Sequence, residues 1–489
     1  MNLSDRMKDK TLFKTQSYYG GKWHSGTDTF AVDNPANRSK LADVVDVGAD
    51  GAKAAIAAAS DGFRIWRKTS PFERARILLK WYELINENVD DLATLITSEM
   101  GKPWAEAKGE VAYGAAFIEW SAQEAVRIHG ETVTVPFPGT RGWTLHQPVG
   151  VVSCITPWNF PSAMITRKAA PALAAGCSIV IKPAAETPLT ALALAELADR
   201  AGFPPGVFNV ICGEAEVLGP VMIGSPEVRM IGFTGSTEVG KLIMRQAADG
   251  VKRVALELGG NAPFIVMDDA DLEAAAAGVA QAKFRSGGQT CVSPNRIIVQ
   301  NGVADAFLDL LEKKITKIKA GDGFESGVDI GPLIHDEAVA RVDKLVKDAV
   351  AGGARIRVGG QPLADELGGS FYAPTLLEGG NFDQAIARTE IFGPVASVYR
   401  AEDENEIIEL ANNTPYGLAA YLYTRDIGRV HRMSEGLDYG MVGVNAPMVG
   451  SASTPFGGVK ESGIGREGGK WGVEEFSELK YVLLAGVNL

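Results

Sequence analysis

Between Gly150 and Ala248 the chain alternates short apolar runs with segments of helical periodicity, and few architectures accept that pattern. Gly150 to Thr156 reads as a strand and Ser162 to Ala175 as a helix. Ser178 to Ile181 is a second strand, followed by a helix from Pro188 to Ala201. Val207 to Ile211 and Met230 to Phe233 add strands, and Thr237 to Ala248 adds a helix. Strand–helix alternation of this length points to a parallel sheet covered on both faces. Ligands of such sheets bind beyond the carboxyl ends of the strands.

The second half repeats the theme. Leu272 to Arg285 is helical, Ile297 to Val299 a strand, and Ala304 to Ile318 and Ala338 to Val350 are amphipathic helices. Ahead of the alternation, residues 1–48 read as short strands and turns. Ala49 to Ile128 reads as helical, with Ile77, Leu78, Trp81, Leu84 and Ile85 at core spacing. Thr132 to Val135 and Trp143 to His146 flank a turn-rich stretch, which predicts a hairpin arm for a partner subunit. Lys480 to Leu484 is a short C-terminal strand candidate. A chain of 489 residues is too long for one hydrophobic core, so two or three domains are expected.

A net charge of −12 argues against nucleic acid or an anionic membrane as the main partner, yet leaves an anionic small substrate open. The four cysteines, Cys154, Cys177, Cys212 and Cys291, show no metal-ligand spacing and form no disulfide framework. A reducing compartment, the cytoplasm, is expected, and no metal. The charged N-terminal stretch lacks the apolar run of a signal peptide, and Ala274 to Ala280 is too short to span a membrane.

Several strand ends carry chemistry. Asn159, in Pro157-Trp158-Asn159-Phe160-Pro161, offers an amide donor suited to an oxyanion, or is a turn asparagine between prolines. Lys182 ends the next strand, where it could reach a ribose or phosphate or be a solvated surface lysine. Thr187 then caps a helix opened by Pro188. Thr234-Gly235-Ser236 joins a strand to a helix and resembles an anion site, without the dinucleotide glycine fingerprint. Glu257 stands among apolar residues before a Gly pair, where desolvation makes a carboxylate a base near neutral pH; the alternative is a glutamate paired to an arginine. Cys291 follows Gly287-Gly288, which permit a tight turn that presents a thiol to a cleft, although a lone cysteine is often only a small buried hydrophobe. The five histidines stand in none of these stretches, so a Cys–His hydrolase is poorly supported.

Taken together these stretches resemble the aldehyde dehydrogenase superfamily over nearly the whole chain. The match rests on Pro157 to Pro161, Lys182-Pro183, Phe233 to Thr237, Glu257 to Gly260, Gly288 to Cys291, Glu390 to Pro394 and Pro455 to Gly463, in family order. The resemblance implies an α/β fold of two Rossmann-like parallel-sheet domains with a small β oligomerisation arm. A dinucleotide domain is expected over 1–127 and 148–258, a catalytic domain over 259–459, and the arm over 128–147 and 460–489. It implies oxidation of an aldehyde to an acid with NAD or NADP, by a homodimer or homotetramer.

By motif position Cys291 is the implied nucleophile, Asn159 with the Cys291 N–H holds the oxyanion, Glu257 activates the hydrolytic water, and Lys168 belongs to a proton relay. Thr156, Pro157, Trp158, Lys182, Ala185, Gly235, Ser236, Glu390 and Phe392 fall at implied cofactor positions. Many NAD-preferring members carry glutamate at the position of Ala185; here Glu186 is displaced by one, so NADP is expected to be accepted.

Arg167 and Arg285 resemble the succinate-semialdehyde dehydrogenase branch, in which matching arginines bind the far carboxylate of the substrate. Each could instead pair with an acidic neighbour. A serine of that branch corresponds to Gly450, with Ser451 and Ser453 nearby, so Ser451 is the substitute candidate and glutarate or 2-oxoglutarate semialdehyde, or a non-acidic aldehyde, stays open. Ser293 stands where some relatives carry a second, redox-active cysteine. Other readings are a coenzyme-A-acylating enzyme, which Glu257 disfavours, a thiol esterase, and an inactive binding homologue, which the joint presence of Cys291, Glu257 and Asn159 disfavours.

Overall fold

The computed structural model describes residues 3–486. The outermost ends of the first and last expected segments, residues 1–2 and 487–489, lie outside the described residues. The alternating region forms one eight-stranded sheet. Its five parallel strands, Arg253–Glu257, Val228–Thr234, Val151–Ile155, Ser178–Lys182 and Phe208–Val210, lie in that spatial order. Antiparallel edges are added by Gly463–Ile464 on one side and by Ser17–Tyr19 and Lys22–His24 on the other.

The strand side chains divide by parity, as the pleat requires. Val152, Cys154, Ile179 and Ile181 enter one core cluster, and Val151, Val180, Ile231 and Phe233 enter another. Both faces are therefore buried, which is why these strands read as continuous apolar runs. The register aligns Ile155 with Lys182, Phe233 with Ile155, and Thr234 with Glu257. Strand ends far apart in sequence thus meet along one edge.

The second half forms a seven-stranded sheet. Thr375–Glu378, Val395–Ala401, Pro294–Gln300, Ala262–Val266, Ala419–Tyr423 and Met441–Val444 run parallel in that order, with Arg355–Val358 antiparallel at one edge. The hairpin predicted near residue 140 is present: Thr132–Val133 pairs antiparallel with Thr140–Pro148. Ser477–Ala485 pairs along the whole of Thr140–Pro148, closing a separate three-stranded sheet. The C-terminal stretch is therefore divided between two sheets, because Gly463–Ile464 joins the large one.

The helices Gly48–Trp66, Pro71–Glu87, Val89–Met100 and Trp104–Ala125 cover the early part of the chain. Trp66 and Trp81 are fully buried, and their indole N–H groups donate to the carbonyls of Leu173 and Leu194, at 2.9 and 3.2 Å. One local expectation is corrected, and one alternative is removed. Thr187 precedes the helix Pro188–Ala201, but its buried hydroxyl caps nothing. The carboxylate of Glu99, from another helix, accepts from the N–H groups of Leu189 and Thr190 instead, at 2.7 and 2.9 Å. A tertiary cap displaces the local one because a single carboxyl group accepts from two free helix amides at once. Lys182 is buried, not solvated, and its ammonium donates to the carbonyl of Pro183. Among the described residues no helix is long and apolar enough to cross a membrane.

Candidate active site

Cys291 ends a strained turn. Ser286, Gly287 and Gly288 are consecutively left-handed, with φ of 53°, 62° and 77°. A Cβ on Gly288 would stand 2.2 Å from the carbonyl oxygen of Gly393, so only glycine fits there. The turn is tied by Gln289, whose side-chain amide donates to the carbonyls of Ser286 and Pro332. Cys291 keeps part of its surface open to a cleft of about 250 Å³ that also exposes Asn159, Ser236, Glu390 and Phe392. Burial, then the nearby carboxyl groups of Glu390 and Glu257, push its thiol up to about 12, while Arg167 pulls the other way.

Asn159 is buried, and its amide nitrogen donates to the carbonyl of Gln289, at 3.0 Å. An amide carries two N–H donors, so the second stays free beside the thiol. The Cys291 N–H donates to no group among the described residues. The loop bearing Asn159 is pinned from below. Lys102, wholly buried, donates to the Asn159 carbonyl at 2.9 Å and to Glu110 at 2.5 Å, and Glu110 accepts from the Ser162 N–H at 2.8 Å.

Glu257 is buried, and one of its carboxyl oxygens has no hydrogen-bond partner. A Cβ on Gly457 would come within 2.9 Å of its other oxygen, so the bare backbone there makes room for the carboxyl group. Burial raises it well above the usual carboxylate range, the charge of Glu467 adds to that, and Arg167 and Lys168 oppose it. The arginine-paired reading belongs to Glu467, not Glu257. Glu467 lies 2.7 Å from Arg167 and 2.5 Å from Lys168. Burial alone would raise Glu467; those two cations outweigh it and hold it ionised.

The cofactor positions gather on the other wall. Pro157, Trp158, Thr234, Gly235 and Ser236 line the cleft at the sheet edge. Trp158 meets the Phe392 ring edge to face at 5.5 Å. Phe392 is itself left-handed, with φ of 51°, a conformation that costs about 1–3 kcal/mol and persists only where surroundings enforce it. Glu390 accepts from the Gly260 N–H at 3.1 Å, and burial pushes it up to about 7. Thr156 and Lys182 are buried behind this wall, while Ala185 is exposed. The buried hydroxyl of Thr234 lacks a partner. An unanswered donor, glycine and a helix N-terminus at strand ends fit the polar parts of a nicotinamide dinucleotide.

The opposite side of Cys291 opens on aromatic residues. The Arg285 guanidinium lies over the Phe160 ring, 4.9 Å from its centroid, makes no salt bridge among the described residues, and touches only the Met448 sulfur at 3.7 Å. Arg167 is buried over the Phe456 ring and held by Glu467. The two arginines therefore differ: Arg167 is in a close ion pair with Glu467, whereas Arg285 forms no salt bridge among the described residues and has Glu106 as an acidic neighbour across its cleft. Ser451 turns its hydroxyl into its own loop, toward Ser453 and Thr454. Sequence reasoning missed Glu467, Lys102, Glu110 and Arg341, the last of which lines the cleft. None sits in a stretch with a local chemical sign; each acquires its role from partners distant in the chain.

The model of the aldehyde dehydrogenase family matches residues 23–482. A glutarate-semialdehyde dehydrogenase of Pseudomonas aeruginosa is 50% identical over 99% of this chain and 100% of its own. An NADP-dependent succinate-semialdehyde dehydrogenase of Escherichia coli is also 50% identical, over 98% of this chain and 99% of its own. The crystal structure of a succinate-semialdehyde dehydrogenase from Burkholderia pseudomallei superimposes with a TM-score of 0.97 at 49% identity, covering 98% of this chain and 100% of that one. With its two parallel sheets, a thiol and an amide lining one cleft and the Glu257 carboxyl group buried close behind, the chain belongs to the aldehyde dehydrogenase family.

Proposed function

We propose that this enzyme oxidises an aldehyde bearing a carboxylate at its far end, such as succinate or glutarate semialdehyde, to the corresponding dicarboxylic acid. Arg285 carries the reading. A guanidinium that forms no salt bridge among the described residues and rests on the Phe160 ring, next to the loop of Asn159, is a receptor for a carboxylate, which it can hold through two parallel hydrogen bonds. Anchoring that end brings the aldehyde carbon toward Cys291. Both a glutarate- and a succinate-semialdehyde dehydrogenase stand at equal identity to the chain, so chain length of the substrate is left to experiment.

In this reading Cys291 gives its proton to solvent in the cleft and attacks the aldehyde carbonyl as the thiolate. The free Asn159 N–H and the Cys291 N–H stabilise the oxyanion of the adduct. A nicotinamide dinucleotide bound in the cleft would supply the hydride acceptor that oxidation of the adduct to a Cys291 thioester requires. Trp158, Ser236, Glu390 and Phe392 would hold it, with Lys182 near its adenosine end. Glu257 then takes a proton from the water that hydrolyses the thioester, and Lys168 and Glu467 carry charge away through the interior. No carboxylate stands at Ala185 to repel a 2′-phosphate, so NADP is used alongside NAD. Assembly is as a homodimer or homotetramer.

A panel of aldehydes tests the substrate. Efficiency should favour four- and five-carbon ω-carboxylated semialdehydes over butanal and pentanal, and Arg285→Ala should abolish that preference. A preference left unchanged in Arg285→Ala removes the clamp. For the cofactor, Ala185→Glu should move the NADP/NAD efficiency ratio toward NAD by about tenfold or more, through like-charge repulsion. A hundredfold preference of the wild type for NAD would overturn the NADP reading.

A further inference from the structure

Tyr113 sits on the helix Trp104–Ala125 and belongs to no motif. Its ring packs edge-on to Phe117, with centroids 5.1 Å apart, and against the small cluster of Phe160, Ala163 and Met164. These contacts fix where the phenol points. Its hydroxyl makes no hydrogen bond among the described residues. A Cβ built on Gly450 would stand 3.0 Å from that hydroxyl and 3.3 Å from the Phe456 ring. The tyrosine oxygen therefore fills the place that a side chain at 450 would take.

Gly450 is two residues from Met448, whose sulfur contacts Arg285. Two residues span at most about 7 Å of chain. One loop thus lies over both the Arg285 guanidinium and the Tyr113 hydroxyl, and the Phe160 ring backs both. A carboxylate offers about four lone-pair directions, and a single guanidinium answers two of them. Arg167 is paired in charge with Glu467 at 2.7 Å under the Phe456 ring, and its Nε and Nη2 make no hydrogen bond, so it adds positive charge beside the same chamber. The phenol is a neutral donor on this same side, held by Phe117 and the Phe160 cluster. A lone pair left unanswered among Phe117, Phe160, Met164 and Phe456 would be expensive, and a hydrogen bond made there is correspondingly strong.

We infer that Tyr113 is a specificity residue: its hydroxyl donates to the far carboxylate of the substrate, completing a site whose cation is Arg285. The inference rests on the carboxylated-semialdehyde reading, and deepens it. Tyr113→Phe removes one oxygen and keeps the ring packing, so the fold is retained. With succinate semialdehyde the KM should rise about tenfold with little change in kcat. With butanal, which has the same length and no carboxylate, KM should stay within about twofold, a split that a merely structural role would not produce. An unchanged KM for succinate semialdehyde, or equal losses on both aldehydes, overturns the inference. The Arg285→Ala variant separates the two levels. If it loses the preference for acidic aldehydes while Tyr113→Phe does not, the tyrosine role falls alone. If neither variant loses the preference, the substrate reading falls with it.

Discussion

Glu257 rests with its carboxyl group raised by burial and by the Glu467 charge, so its basic form grows as pH climbs through that raised value. Turnover limited by thioester hydrolysis should therefore increase with pH. In Glu257→Gln the rising limb should disappear and steady-state turnover fall about 10²- to 10⁴-fold, as for loss of a general base. The first turnover should survive, because Glu257 is assigned to the hydrolytic water and not to the attack by Cys291, whose proton leaves to solvent in the cleft. Stopped-flow absorbance of reduced cofactor reads both phases, and loss of the burst along with the steady state would contradict the division of roles. Asn159→Ala should behave differently, lowering burst and steady state together by about 10²- to 10³-fold. Residues of this kind were legible in the sequence because each carries a local sign: a thiol after two glycines, an amide between prolines at a strand end, a carboxyl group in an apolar run. Glu467 carried none. Its partner Lys168 is 299 positions away, and only the closed fold makes it part of the site.

Elements bring these groups together, and what holds an element in place is often outside it. The strands and most helices were legible because burial on both faces leaves an unbroken apolar signature and helical faces repeat on their own period. Contacts between elements left no such trace, as Glu99 in place of Thr187 illustrates. Its role also predicts a pH effect on stability. Burial outweighs the hydrogen bonds favouring its charged form, and pushes the carboxyl group up to about 8 from a usual 4.5. A carboxyl group whose folded value is raised contributes stability that is complete below its unfolded value and is lost as pH rises through the folded one. The wild type should accordingly lose thermal stability between about pH 5 and pH 9, and Glu99→Gln should lose less over the same window; parallel slopes in calorimetry would assign the loss elsewhere. The buried Lys102–Glu110 pair acts on the neighbouring loop. Lys102→Met strands a buried carboxylate and should destabilise the fold by about 3–5 kcal/mol. Lys102→Met with Glu110→Gln should recover part of the melting temperature, yet leave kcat reduced, because the Asn159 carbonyl has lost its donor.

At the scale of the molecule, the three-stranded sheet stands apart from both large ones, and its outer strand is Ser477–Ala485. One edge of that strand lacks a partner among the described residues, and it exposes Leu479 by 64% and Tyr481 by 52%, with Leu483 and Leu484 also exposed. A nine-residue apolar edge is an aggregation hazard in a monomer and a suitable joint in an assembly. The same segment reaches back to the chemistry. Ser477 accepts through its carbonyl from Arg253 at 2.7 Å, and the helix Gly469–Glu474 leads from this strand to Glu467, which holds Arg167 and Lys168. A second copy covering the arm would therefore also steady the chain on which Glu467 is mounted. Replacing Leu479 and Tyr481 by Asp should shift sedimentation toward a smaller species while far-ultraviolet circular dichroism is kept. Turnover should fall with dissociation and return at higher protein concentration, since association follows mass action. An unchanged sedimentation profile would remove this sheet as the assembly device. A smaller species with full activity would keep the assembly role and cut its connection to Glu467.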